Sequence, residues 1–191
     1  MTKVSAVLLK YQRFEELDKI VEDLRRYPFI DDIVIHDNSG KENIKMYGRY
    51  FATRKAKHDL IYTQDDDCIV ENLQEIYDVF CQNFYNTLVN GMKPERLYHY
   101  QGSDTLIGWG TFFDRSWLWC LKIYLNKYGM DAIFLRETDR IFSTLSRIEV
   151  GRITVPAIIK DFPSAMSSKS LSLQAEHETT RAIAVKRCEG L

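Results

Sequence analysis

Apolar positions along this chain switch between two periods, and the switches outline its elements. Residues 4–9, Val4-Ser5-Ala6-Val7-Leu8-Leu9, are apolar almost throughout, which predicts a strand interior to a parallel sheet. A helical period follows. Phe14, Leu17, Ile20, Val21 and Leu24 fall on one stripe, with Glu15, Glu16, Asp18 and Lys19 outside it, and Tyr27-Pro28 ends the run. Residues 32–36 predict a second strand, closed by the turn-forming Asp37-Asn38-Ser39-Gly40. Together these make a β-α-β unit whose crossover should be right-handed.

Residues 41–58 are basic and aromatic, and a helix is expected over much of them, leading to a strand at 60–64. Asn72-Leu73-Gln74-Glu75 has the form of a capping box. It opens a helix with Leu73, Ile76, Tyr77, Phe80 and Phe84 on its buried stripe. The second half is less regular. It offers a turn at 91–94, a short strand at 96–100, and a strand within 105–113 where Gly108 and Gly110 admit a close backbone approach. A helix over 115–128 presents Leu118, Leu121, Tyr124 and Leu125 and stops at Gly129; another covers 137–146. After Val155-Pro156 the pattern is loop-like, with five serines between 164 and 172, before a last helix over 178–188. With no repeat and no linker, the pattern predicts one α/β domain over 1–191.

Composition narrows the function classes. At 191 residues the chain suits one domain that buries roughly 70% of its unfolded surface. Lys+Arg and Asp+Glu number 26 and 27, so charge offers no argument for nucleic acid or an anionic membrane. No apolar run approaches the roughly 20 residues that span a bilayer, and Met1-Thr2-Lys3-Val4 enters a strand without a signal-peptide pattern. Cys68, Cys81, Cys120 and Cys188 are widely spread and form no CxxC pair, the pattern of reduced packing cysteines in a cytoplasmic protein.

The chemistry concentrates where Leu60-Ile61-Tyr62-Thr63-Gln64 runs into Asp65-Asp66-Asp67. Repulsion and desolvation both disfavour three stacked carboxylates, unless a divalent cation is held there. Oxygen ligands suit Mg²⁺ or Mn²⁺ bridging to a phosphate, and ligands of open α/β sheets bind at the carboxyl ends of the strands. An acidic, solvated turn would carry the same triplet.

With a β-α-β unit first, an acidic end on its second strand and a DxD ending a later strand, the chain resembles GT-A glycosyltransferases. The arrangement is most like the family 2-like and exostosin-like enzymes, over residues 4 to about 145. Haloacid-dehalogenase phosphatases place their DxD on the first strand, whereas here at least two strands precede it. The resemblance implies a single-domain α/β fold of GT-A type, with a mostly parallel central sheet flanked by helices. Residues of about 1–70 would form the nucleotide-binding half, about 95–160 the acceptor and catalytic half, and about 161–191 a tail acting as a lid over 165–181. It implies a UDP-linked nucleotide-sugar donor, a divalent cation (Mn²⁺ or Mg²⁺) and inverting transfer to an acceptor hydroxyl.

The implied roles fall on individual residues. Asp37, with Asn38 beside it, would accept from the base or ribose; the same residues make an Asx turn. Arg54 and Lys57 would face the diphosphate, or form a solvated helix end. Side chains two apart on an extended backbone face the same way. Asp67 is therefore expected on the metal, Asp65 on ribose or metal, and Asp66 behind them. Trp109 would stack on a sugar face, or sit in the core. Glu137-Thr138-Asp139 resembles the acidic motif that supplies the base of inverting members. Positions 137 and 139 point about 200° apart on a helix, so only one faces the site. Asp139 is the expected base, with Glu137 capping the helix or pairing with Arg140. His177 would supply a third metal ligand, imidazole suiting Mn²⁺ better than Mg²⁺, or cap the helix after it. The compact chain after the triplet leaves the acceptor open among a glycan, a lipid-linked sugar, a protein and a modified nucleobase. Two other readings stand beside this one. A nucleotidyltransferase of similar topology usually has a glycine-rich first loop, and Lys10-Tyr11-Gln12-Arg13 has no glycine. The other is a nucleotide-sugar-binding module without turnover.

Overall fold

The computed structural model describes residues 1–40, 42–83, 87–96, 105–147, 150–165 and 176–191. The chain opens with β1 (Val4–Lys10), α1 (Phe14–Leu24), β2 (Ile30–Asp37) and α2 (Tyr47–Ala52), then β3 (Leu60–Thr63) and β4 (Cys68–Val70). It continues through α3 (Leu73–Asn83), β5 (Thr87–Met92), β6 (Thr111–Asp114), α4 (Trp119–Tyr128) and α5 (Ala132–Ser146). It closes with β7 (Gly151–Pro156), β8 (Ile159–Asp161) and α6 (His177–Glu189).

Six strands form one sheet in the order β2-β1-β3-β6-β5-β7. β1 pairs in parallel with β2 and β3, and β5 with β7, while β6 runs antiparallel between β3 and β5. This is the α/β architecture that the hydrophobic pattern predicts, with the mostly parallel central sheet that the resemblance implies; the antiparallel β6 makes it mixed. β1 is buried over all but its last residue because it has a strand on either side and helices on both faces; β2, at the sheet edge, is half exposed. Alternate side chains feed opposite cores. Val7, Ile61, Leu88 and Phe113 join α2, α4, α5 and α6, whereas Ala6, Leu8, Tyr62, Val89 and Phe112 join α1 and α3. Full burial of a residue such as Phe112 or Phe113 contributes roughly 1.5–3 kcal/mol. β4 and β8 form a separate antiparallel ribbon, with Cys68 opposite Asp161.

Several expected boundaries move for local reasons. The helix over 41–58 shrinks to the six residues of α2 and a 3-10 turn, Thr53–Lys55. Asn38 prevents an earlier start: its side chain accepts from Ile44 N and donates to Lys45 O, and Lys45 has a φ of 52°. The helix placed at 137–146 begins at Ala132, because Asp131 caps it by accepting from Phe134 N at 2.8 Å. The helix placed at 115–128 opens as a 3-10 turn, Arg115–Leu118. The strand within 105–113 starts only at Thr111, since Gly110 turns the chain with a φ of 86°. β4, β5, β7 and β8 were not foreseen, and Gly91, expected in a turn, lies in β5. Phe14 is half exposed beneath Lys10 rather than buried with the rest of its stripe. Phe84, all but Arg96 of the strand expected at 96–100, and most of the serine-rich segment lie outside the described residues. No described helix is long and apolar enough to cross a membrane.

Candidate active site at the carboxyl ends of the strands

β3 ends at Thr63, whose hydroxyl donates to Val7 O, and the chain then tightens around Gln64. The buried Gln64 accepts from the Tyr62 hydroxyl at 2.7 Å and donates to Cys68 O at 2.7 Å. That bond closes the loop carrying Asp65, Asp66 and Asp67, so the triplet is held from beneath. From the side, Asp65 N donates to Gly108 O at 2.8 Å. A Cβ at position 108 would lie 1.9 Å from Asp65 Oδ2, so only glycine lets the carboxylate lie against that backbone.

Each carboxylate of the triplet has a different neighbour. Arg49 Nη2 of α2 donates to Asp65 Oδ1 at 2.5 Å and lies 3.6 Å from Asp139 Oδ2 of α5. The Tyr50 hydroxyl donates to Asp139 Oδ1 at 2.7 Å. Arg13, between β1 and α1, donates from Nη1 to Asp66 Oδ1 at 2.7 Å and from Nη2 to Ser164 O at 3.1 Å. Asp67 has burial and its neighbour Asp65 acting against ionisation, which push its carboxyl up to about 7. Phe162 N donates to its backbone oxygen at 2.8 Å.

Asp139 stands beside this group from a helix that bends. Glu137, inside α5, has φ −107° and ψ 21°, and its buried carboxylate accepts from Thr180 Oγ1 of α6 at 2.6 Å. Glu137 thus faces α6 while Asp139 faces α2, the divergence expected two positions apart. Burial raises the Asp139 carboxyl to about 6, against the lowering effect of Arg49 and with Asp65 adding to the rise. A quarter of its side chain stays accessible, so this enclosed group still meets the outside.

The other expected site residues divide. Trp109 lies half-buried between Gly108 and Gly110, with Lys93 Nζ 5.0 Å from its ring centre. Asp37 ends β2, two strands from β3 and so about 10 Å across the sheet. The Ser39 hydroxyl and amide and the Lys10 ammonium hold its carboxyl well below the usual range. Asn38 is buried as the organiser of the following loop. Arg54 is turned onto the Phe51 ring, 3.4 Å from its centre. The structure does not bring Lys57 to the group: it pairs with Asp31 at 2.6 Å, at the amino ends of the strands, because the 3-10 turn carries the chain past the site. His177 is likewise turned elsewhere, its Nδ1 3.4 Å from Glu137 Oε1, since the first turn of α6 docks on the bend of α5. Glu137 meets Thr180, His177 and Arg136 rather than capping a helix start. The lid expected over 165–181 falls mostly outside the described residues, and at its far end α6 is clasped to α5 by Glu137 and by Arg187 with Asp131.

Sequence reasoning passed over Arg13, Arg49, Tyr50 and Gln64. Arg49 and Tyr50 lay in the basic, aromatic run, and Gln64 directly precedes the triplet; Arg13 gave no local signal.

Among the described residues, no three His, Cys, Asp or Glu side chains gather closely enough to form a metal site unaided. Cations that bind with phosphates usually take only one or two protein carboxylates. Asp65 and Asp67 fit that arrangement: burial first and the Asp65 carboxylate second raise the Asp67 carboxyl, and a cation there would oppose both.

No protein-family model and no curated protein matches this chain in sequence. Solved structures match it in fold. One is glucosyl-3-phosphoglycerate synthase from Mycobacterium tuberculosis, in complex with Mn²⁺, UDP and phosphoglyceric acid, at TM-score 0.52 and 11% identity over 98% of this chain and 78% of that one. Another is a glycosyltransferase involved in glycosylation of the major capsid of PBCV-1, at TM-score 0.50 and 12% identity over 99% and 100%. S. aureus TarS 1–349, in complex with UDP, scores 0.47 at 13% identity; 81% of this chain is covered, and the chain spans only 61% of the TarS one. The first two of these show that the fold is of the GT-A type.

Proposed function

We propose that this chain is a metal-dependent glycosyltransferase that moves a sugar from a nucleoside-diphosphate donor, UDP-linked, to an acceptor hydroxyl. The observation that carries the reading is Arg49. One buried guanidinium reaches both Asp65, at the end of a sheet strand, and Asp139, on a helix in the second half of the chain. That joins an acidic strand end suited to a cation–diphosphate to a carboxylate suited to proton transfer. The GT-A fold supports the reading, and the UDP bound to the glucosyl-3-phosphoglycerate synthase makes uridine the first nucleotide to test.

In this reading Asp67 and Asp65 would hold the divalent cation, which would offset negative charge on the departing diphosphate. Asp37 would accept from the nucleoside, and Trp109 would border the acceptor side. Asp139 takes the proton of the acceptor hydroxyl as that oxygen forms its bond to the sugar C1 and the C1–O bond to the diphosphate breaks. Its carboxyl, raised to about 6, is ionised at neutral pH yet basic enough for the task. Tyr50 holds it in one orientation. The stereochemical outcome in this scheme is inversion.

The test is thermal shift with UDP, GDP and CMP, each with and without Mn²⁺. A shift that needs both UDP and Mn²⁺, and that Asp67→Ala abolishes, is the expected result. No shift with any nucleotide at millimolar concentration would overturn the reading.

A further inference from the structure

The site contains a built-in competitor for its own cation. Two of the three carboxylates in the triplet already face a buried guanidinium, Asp65 through Arg49 and Asp66 through Arg13, whose side chains are only 2% and 7% exposed. Arg13 does more than neutralise. Its second nitrogen holds Ser164 O at 3.1 Å, and the Ser164 hydroxyl donates to Glu16 of α1 at 2.7 Å. With Phe162 N on Asp67 O, the stretch 162–164 forms a strap past the triplet. Arg13 is thus fixed from two directions and cannot swing away with Asp66. Its Nε is also buried without a hydrogen-bond partner among the described residues.

We infer that Arg13 is a positioning residue that reserves Asp66 and keeps the triplet from binding a divalent cation until a nucleoside diphosphate arrives with it. This rests on the reading of the triplet as a cation–nucleotide site. A fixed positive charge beside the triplet repels an incoming dication, and Asp66 is denied to it as a third carboxylate. A diphosphate reverses the balance by adding negative charge and oxygen ligands. Metal and nucleotide then bind together, and the free cation binds poorly. A salt bridge that served only stability would make no such demand: its loss would weaken metal binding or leave it unchanged.

The test measures Mn²⁺ affinity by the electron-spin resonance signal of the free ion, with no nucleotide and then with UDP. Arg13→Ala removes the repelling charge and frees Asp66, so Mn²⁺ alone should bind at least about tenfold more tightly than to wild type. Asp66→Asn leaves Arg13 beside the remaining carboxylates and should weaken Mn²⁺ binding about tenfold. The double variant cancels both changes and should return to within about threefold of wild type. Arg13→Lys keeps the charge and should stay near wild type. If Arg13→Ala binds Mn²⁺ no better than wild type while its circular dichroism is native, the inference is overturned. Should Arg13→Ala fail to fold, Asp66→Asn decides, because unchanged or tighter binding there overturns it equally. Failure of the underlying reading looks different: wild type would then bind no Mn²⁺ even with UDP, and Asp67→Ala would change nothing.

Discussion

The Tyr50 hydroxyl donates to Asp139 Oδ1 across 2.7 Å, from a ring packed between Phe113 and Phe142. Because the bond favours the ionised carboxylate, it holds the Asp139 carboxyl lower than burial alone would. Tyr50→Phe should therefore move the acid limb of the transfer–pH profile, near pH 6 in wild type, upward by roughly 0.5–1 unit. Activity would fall most at pH 6 and recover toward pH 8. Sugar release from the donor, measured from pH 5 to 9, reads this directly, and an unmoved limb counts against Asp139 as the titrating base.

Asp139→Asn keeps the shape of the side chain and removes its basicity. Sugar transfer should drop by about 10²–10⁴-fold while UDP binding in the presence of Mn²⁺ persists. Calorimetry against UDP beside a turnover assay separates the two. Transfer at the wild-type rate would assign the proton to another group.

Gly108 offers a test of the triplet that leaves every charge in place. An added methyl would meet Asp65 Oδ2 at 1.9 Å, with the Asp65 backbone tied to the same residue. Gly108→Ala should displace the carboxylate from Arg49 and weaken Mn²⁺-dependent UDP binding by at least about tenfold, at a stability cost of roughly 1–3 kcal/mol. Titration of UDP with saturating Mn²⁺ checks the first figure and chemical denaturation the second.

Metal-free stability should depend on pH through Asp67 and Asp139, whose carboxyls are raised to about 7 and about 6 from an ordinary 3.8. A carboxyl raised on folding binds more protons in the native state, so its contribution weakens as pH rises through the folded value. The midpoint of thermal unfolding should therefore rise as pH is lowered from 8 to 5. Asp67→Asn removes the larger share of this slope, stabilising the metal-free protein by roughly 1–3 kcal/mol at pH 8. A flat midpoint across that range in wild type would contradict the crowding of these groups.

What could be read from the sequence was whatever depends on neighbours along the chain. The apolar run of β1, the stripe of α1 and the strand leading into Asp65 each carry their own signal, and the opposed directions of Glu137 and Asp139 follow from helical geometry. Arg13 was invisible because its importance arises from Asp66 and Ser164, both remote in sequence. Arg49 sat among five other Lys and Arg residues in 41–58, and only the short α2 decides that it turns inward while Arg54 and Lys57 do not. β4 and β8 were missed because three residues are too few to show a period. β5 was missed because Gly91 within it reads as the start of a turn over 91–94 until it is seen against the Trp109 backbone.

The strap past the triplet joins parts of the chain that leave the ribosome far apart in time: Arg13 waits for Ser164, 151 positions later. Until then β4 lacks its partner β8, and Asp66 has a cation beside it with nothing to hold that cation still. Such non-local closures are the slow part of folding. A partly synthesised chain can therefore carry the whole acidic triplet and still lack the contacts that Ser164 and Phe162 bring to it. If the triplet takes nucleotide with metal as proposed, their capture would report that the chain has folded as far as Ser164, a more stringent measure of correct folding than helical content.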